Sequence, residues 1–162
     1  MPHSLAEQLV AKLAAKGLRI TTVESCTGGL VAAAITSVSG SSAVFDYGFV
    51  TYSNAAKSAL VGVPVDVIAK HGAVSERVAH AMAEGGRIEA GADLAVSITG
   101  IAGPSGGSTE KPVGMVCFGL SFYSGGQVVT ETYVQQFGNT GRDAVRGAAV
   151  EFALKRALEA LV

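Results

Sequence analysis

The chain has 162 residues, of which 49% are hydrophobic and 15% charged. That balance excludes a disordered chain and suits one domain with a sizeable core. A net charge of −1, a pI of about 6.3 and the lack of any basic tract remove the electrostatic footprint of nucleic-acid binding.

The apolar stretches are short and broken by polar residues, so no membrane span is expected. Met1 to Leu5 lacks a basic start followed by an apolar run, so no secretion signal is expected either. Cys26 and Cys117 form no CxxC pair and read as free thiols in a reducing compartment. The expectation is a soluble cytoplasmic protein.

In chain order, Leu5, Leu9 and Leu13 recur every four residues and predict an amphipathic helix over 4–16, ended by Gly17. Leu18 to Val23 is apolar and β-branched, the first expected strand. It runs into Glu24-Ser25-Cys26-Thr27-Gly28-Gly29 and an alanine-rich helix over about 30–37. Ser39 to Ser42 reads as a loop and Val44 to Tyr52 as a second strand. Ser53-Asn54 then caps a short helix bearing Lys57. Ser75 is placed to cap a longer helix to about Glu89, with Val78, Met82 and Ile88 broadly on one face.

Leu94 to Ile98 is the best candidate for a central strand. Thr99 to Pro112 is a glycine- and proline-rich loop, and loops of that length inside a domain tend to be functional. Val113 to Tyr123 and Val128 to Gln136 flank Ser124-Gly125-Gly126-Gln127, a hairpin signal. A last helix spans about Gly141 to Leu161, with Val145, Ala149, Phe152, Ala153, Ala160 and Leu161 as its buried stripe. Helices alternating with strands, then one hairpin, imply a single α/β layered domain over 1–162 with a mixed sheet and no internal repeat.

Four segments carry residues suited to chemistry. In the first, Ser25 sits at a strand end before a glycine-led helix, where unpaired backbone N–H groups and the helix dipole favour a developing negative charge. Gly28 and Gly29 let a substrate approach the backbone, and they equally suit close packing around a helix cap. The pattern is not a G-x-S-x-G elbow.

The second segment, Tyr52 to Lys57, supplies a base. His3 is terminal, His71 precedes Gly72 in an expected loop and His80 lies on a polar helical run, so a Ser-His-Asp triad is not expected. A desolvated lysine can serve instead, because burial lowers its pKa. Lys57 stands one turn into a helix after a strand end, and a tyrosine between serine and lysine can relay the proton. A lone lysine is otherwise most often a solvated surface residue.

The third, Thr99-Gly100-Ile101-Ala102-Gly103-Pro104-Ser105-Gly106-Gly107, offers consecutive N–H groups able to cradle a phosphate, although it lacks the Walker and dinucleotide spacings. Lys111 then begins the return to the sheet. In the fourth, Arg142 at a helix start beside Gly138 to Gly141 can clamp a phosphate or carboxylate, or simply be an exposed helix arginine. No metal-ligand spacing is visible.

Taken together, Val23-Glu24-Ser25-Cys26-Thr27-Gly28-Gly29, Tyr52-Ser53-Asn54 with Lys57, Ser97 to Pro104 and Glu110-Lys111-Pro112-Val113-Gly114 resemble the C-terminal domain of competence/damage-inducible CinA proteins. The resemblance covers nearly the whole chain in the same order. It implies a three-layer α/β/α domain with a mixed, mostly parallel sheet of the CinA-like, anticodon-binding-domain-like type. It also implies hydrolysis of the nicotinamide mononucleotide carboxamide to nicotinate mononucleotide and ammonia, in pyridine-nucleotide recycling toward NAD.

The family's proposed catalytic serine, tyrosine and lysine fall on Ser25, Tyr52 and Lys57. No metal or other cofactor is implied, and association into a homo-oligomer is. Longer CinA proteins carry a further N-terminal domain, so a stand-alone version is expected.

The mechanism expected on this basis is attack by Ser25, with Lys57 as base aided by Tyr52. Backbone N–H groups of Cys26, Thr27, Gly28 and Gly29, or of Gly100, would hold the oxyanion. Thr99, Gly100, Ala102, Gly103, Gly106, Gly107 and Arg142 would hold the nucleotide, with Lys111 as a further phosphate candidate. The alternatives are a nucleotide-sensing module without turnover and an amidase for another nucleotide-like amide. The partner expected is a small nucleotide substrate, with no nucleic acid and no membrane.

Overall fold

The computed structural model describes residues 4–161. His3 lies outside them. The chain opens with α1 (Leu5–Lys16), whose Ser4 side chain accepts from the Glu7 N–H while the Glu7 carboxylate accepts from the Ser4 N–H. This reciprocal cap fixes where the helix starts. There follow β1 (Ile20–Glu24), α2 (Leu30–Thr36), a short 3-10 turn at Ser41–Ala43, β2 (Phe45–Val50) and α3 (Asn54–Val61). The chain continues through α4 (Val65–His71), α5 (Glu76–Ala90), β3 (Leu94–Gly100), the hairpin β4 (Met115–Ser124) and β5 (Gln127–Gln136), and α6 (Arg142–Glu159).

The five strands form one sheet in the order β2-β1-β3-β4-β5. β1 pairs parallel with β2 and β3, whereas β3–β4 and β4–β5 are antiparallel. The sheet is therefore mixed, with its pairings evenly divided and four of its five strands pointing the same way. Helices α1, α2 and α6 cover one face over a core that includes Leu9, Leu13, Ile98, Phe118 and Ala153. Helices α3, α4 and α5 lie on the other over Val23, Val61, Ile68, Val78 and Met82. This is the three-layer α/β/α arrangement. Among the described residues, no helix is long and apolar enough to cross a membrane.

Three details differ from the sequence reading. Helix α4 is extra, so His71 ends a helix and is not in a loop. On α5, Val78 and Met82 are buried but Ile88 is exposed. Gly86, eight residues after Val78, continues the inward face, and Ile88 is two positions, or about 200°, beyond it. The α6 stripe holds at Val145, Ala149, Ala153 and Leu161 and gains Leu154 and Ala157, while Phe152 and Ala160 are only half-buried.

Close approach sets the position of α5. A Cβ on Gly86 would run into the Val23 side chain of β1, and one on Gly85 into the Val61 carbonyl oxygen of α3. The helix thus lies directly on the layer that carries Lys57. Gly85→Ala must push α3 and α5 apart, an overpacking expected to cost about 1–3 kcal/mol. Urea denaturation reads it, and an unchanged midpoint would show that α3 is free to move aside.

Candidate active site

The parallel strands β1, β2 and β3 all end at the same edge of the sheet, and the chain leaves each of them into the site. In open α/β sheets this edge is where ligands bind. The Thr51 N–H donates to the Glu24 carbonyl (2.8 Å) and the Ser25 N–H to the Ile98 carbonyl (2.9 Å), which locks the three exits together.

Strand alternation then separates two neighbours. Glu24 points to the α2 side, where its carboxylate accepts from the N–H groups of Val31 (2.9 Å) and Ala32 (3.0 Å). Ser25 points to the α3 side. The Ser53 hydroxyl caps α3 by accepting from the Ala56 N–H, so the helix start is fixed and Lys57 is aimed inward.

There the Lys57 amine lies 3.0 Å from the Ser25 hydroxyl. It also donates to the carbonyls of Thr51 (2.9 Å) and Tyr52 (3.3 Å). Lys57 is only 1% exposed, and burial lowers its pKa below the usual 10.5, opposed only by weak attraction to Cys26. A neutral amine has two N–H bonds and one lone pair. With the two carbonyls taking the N–H bonds, the lone pair is left for the Ser25 O–H, the geometry a general base needs. Cys26, next to Ser25, is buried, and burial pushes its thiol up to about 11. It stays protonated at neutral pH and is a poor nucleophile.

A cleft of about 260 Å³ opens over this pair. Among the residues expected at the site, Ser25, Cys26, Tyr52, Lys57, Thr99, Gly100, Ala102, Gly103 and Arg142 all line it. The Thr99 hydroxyl donates to the Ala73 carbonyl (2.9 Å), which brings the loop before α5 to the wall. Asn54 of the Tyr52 to Lys57 segment also lines it, as do Ala73 and Val74, which were not singled out by sequence.

Other expectations fall elsewhere. Gly106 and Gly107 border a separate open cleft with Gln136, Gly138 and Asn139, and Ser105 lines both. Lys111 donates to the His71 carbonyl (2.7 Å) and holds the end of α4. Thr27, Gly28 and Gly29 do not line the cleft. The Val31 and Ala32 N–H groups in the first turn of α2 are occupied by Glu24.

The Tyr52 side chain is 62% exposed, and its hydroxyl accepts from Arg142 (3.0 Å), which also donates to the Gly103 carbonyl (2.8 Å). Lys57 reaches Ser25 directly, so the expected tyrosine relay has no gap to bridge. It is the Tyr52 backbone carbonyl, 3.4 Å from the Ser25 hydroxyl, that joins the pair. Among the described residues, no group of three or more His, Cys, Asp or Glu could hold a metal ion.

The CinA C-terminal domain model matches residues 2–161. The chain belongs to the CinA C-terminal domain family. It is 54% identical to the nicotinamide-nucleotide amidohydrolase PncC of Enterobacter agglomerans, across 99% of this chain and 95% of that protein. It is 53% identical to a CinA-like protein of Anaeromyxobacter dehalogenans, but spans only 36% of that longer chain. The solved structure of the competence/damage inducible protein CihA from Agrobacterium tumefaciens superposes with a TM-score of 0.87 at 42% identity, covering 99% of this chain and 98% of that one. Within this CinA-type domain, the mixed α/β sheet that carries the Ser25–Lys57 pair is the family fold.

The depressed lysine pKa has a measurable consequence for stability. Between its lowered folded value and the ordinary 10.5, the unfolded chain binds more protons than the folded one. Wild-type stability from this group therefore rises with pH across that window and is lost as pH falls through the folded value. Lys57→Met removes the titration. Urea unfolding from neutral pH up toward the ordinary lysine value should show the wild type gaining on the variant, whereas parallel curves would mean an unperturbed lysine.

Proposed function

We propose that this chain is a nicotinamide-nucleotide amidohydrolase that uses Ser25 as nucleophile and Lys57 as base. The observation that carries the reading is the direct contact between the buried amine and the serine hydroxyl, in a chain 54% identical to a protein of that name along nearly its whole length. The substrate is nicotinamide mononucleotide and the protein works in the cytoplasm as a homo-oligomer, recycling pyridine nucleotides toward NAD.

In the first half-reaction the Ser25 oxygen attacks the carboxamide carbon and its proton passes to Lys57. Backbone N–H groups of the cleft hold the oxyanion. The lysine ammonium then protonates the departing nitrogen, ammonia leaves, and Ser25 carries the nicotinoyl group as an ester. In the second half-reaction Lys57 takes a proton from water, the water oxygen attacks the ester carbon, and nicotinate mononucleotide is released as the proton returns to Ser25. Tyr52 and Arg142, bonded to each other at the cleft mouth, face the ribose and phosphate.

Ser25→Ala should abolish ammonia release from nicotinamide mononucleotide while leaving the fold intact, and Cys26→Ala should be mild. Lys57→Met should lower kcat strongly and remove the acidic limb of the pH–rate profile, because that limb reports protonation of the amine. A dead Cys26→Ala beside an active Ser25→Ala would reverse the nucleophile.

A second test addresses substrate choice. Loss of a charged hydrogen bond is worth about 1.5–3 kcal/mol, so Arg142→Ala should reduce kcat/KM for nicotinamide mononucleotide about ten- to a hundredfold. It should barely change the poor use of nicotinamide riboside, which has no phosphate. Tyr52→Phe should follow Arg142→Ala in direction and leave the pH–rate profile unmoved. Equal losses on both substrates would assign Arg142 to fold or catalysis.

A further inference from the structure

The turn after Ser25 has a support from the far side of the molecule. Arg146, on the first turns of α6 and one turn after Arg142, sends its Nε–H to the Cys26 carbonyl (3.0 Å) and its Nη2 to the Thr27 carbonyl (3.4 Å). These contacts join residues 120 and 119 positions apart. Arg146 is half-buried and makes no ion pair among the described residues. Its seat depends on Gly28. A Cβ there would lie 3.3 Å from Nη2, and the φ of +57° is one that side chains disfavour.

The carbonyl directions decide the N–H directions. The only cis peptide bond among the described residues is Gly103–Pro104, so those around Cys26 are trans, and each C=O opposes the N–H of the next residue. The Ser25 carbonyl accepts from the Gly28 N–H (3.0 Å), which turns the Cys26 N–H the opposite way. The Cys26 carbonyl is held by Arg146, which turns the Thr27 N–H away from the guanidinium. Among the described residues neither of these two N–H groups has a hydrogen-bond partner, whereas the Val31 and Ala32 N–H groups beyond them are filled by Glu24. The Val31 and Ala32 N–H groups are therefore closed to an oxyanion, while that of Cys26, which lines the cleft, is open to one.

We infer that Arg146 is a positioning residue for acyl transfer at Ser25, holding the turn by its carbonyls so that the Cys26 N–H, which borders the cleft, meets the oxyanion. The inference rests on Ser25 being the nucleophile. Arg146 touches no reacting atom. It acts by fixing a donor that would otherwise have to be ordered in the transition state, and its charge favours the oxyanion.

The test compares Arg146→Ala, Arg146→Lys and Ser25→Ala with wild type. One assay is ammonia release from nicotinamide mononucleotide. The other is labelling of Ser25 by an alkyl fluorophosphonate, followed by intact mass. In the labelling step the serine oxygen bonds to phosphorus, fluoride leaves, and Lys57 takes the hydroxyl proton, so it needs the same turn but not the nucleotide.

Arg146→Ala should lower kcat about a hundredfold, the scale of losing an oxyanion donor, with KM within about threefold. Labelling should slow in parallel, and added guanidinium should restore part of both rates. Arg146→Lys keeps length and charge without the planar fork and should fall between. A loss confined to KM, unchanged labelling, or no gap between the lysine variant and wild type would overturn the role. A wild type that labels at Ser25 but releases no ammonia would sink the substrate and spare the positioning role. A wild type that labels nowhere, or an active Ser25→Ala, would remove the nucleophile and the inference with it.

Discussion

A lysine amine held against a serine hydroxyl without any ion pair is the arrangement on which the rest of this structure bears. Burying an ammonium is unfavourable, and the group responds by giving up its proton more easily. Burial alone would leave a neutral amine free to point anywhere. The carbonyls of Thr51 and Tyr52 remove that freedom, because they claim its two N–H bonds and leave one direction for the lone pair. Those carbonyls belong to the backbone leaving β2, fixed in turn by the Thr51 N–H bond to Glu24. The amine is thus oriented by sheet geometry rather than by a third side chain.

The same sheet assigns opposite jobs to adjacent residues. Alternation along β1 sends the Glu24 carboxylate to α2 and the Ser25 hydroxyl to α3. Slipping the chain by one residue would bury a carboxylate against Lys57, giving an ion pair that holds the lysine charged and useless as a base. It would also leave the first N–H groups of α2 unpaired, since Gly29 at its N-cap has no side chain to offer. Two arrangements, a capped helix and a buried lysine with no carboxylate against it, come from one register. Tight packing at Gly85 and Gly86 holds α5 on the α3 layer, so the register and the helix bearing Lys57 are set together.

Much of the fold was legible because its signals are local. Leu5, Leu9 and Leu13 carry a helical period, Ser53 and Ser75 are caps with their helices immediately after them, and the two glycines at 125 and 126 mark the hairpin. Helix α4 was missed because its seven residues, between Pro64 and Gly72, bury only Ile68 and show no repeat to detect. Ile88 misled because apolar identity was taken for facing, although α5 continues inward through Gly86 and Arg87. At the site, glycine motifs pointed to the right edge of the sheet. They could not tell Gly103, which lines the cleft, from Gly106 and Gly107, which line its neighbour. The contacts of Arg146 were not legible, since its partners are backbone carbonyls more than a hundred residues away.

The neighbouring serine and cysteine show why such a site must be argued from environment rather than from intrinsic reactivity. In water a thiol is the better nucleophile of the two, being partly ionised near neutral pH. Here desolvation pushes Cys26 to about 11, and neither Arg146 nor Lys57 offsets it. The hydroxyl of Ser25 is a weaker acid but, in the proposed reaction, never needs to ionise on its own, because the Lys57 amine that would take its proton lies 3.0 Å away. What counts is whether the proton can leave as the new bond forms, and that favours the residue facing the amine. The cysteine offers its backbone instead, with a carbonyl held by Arg146.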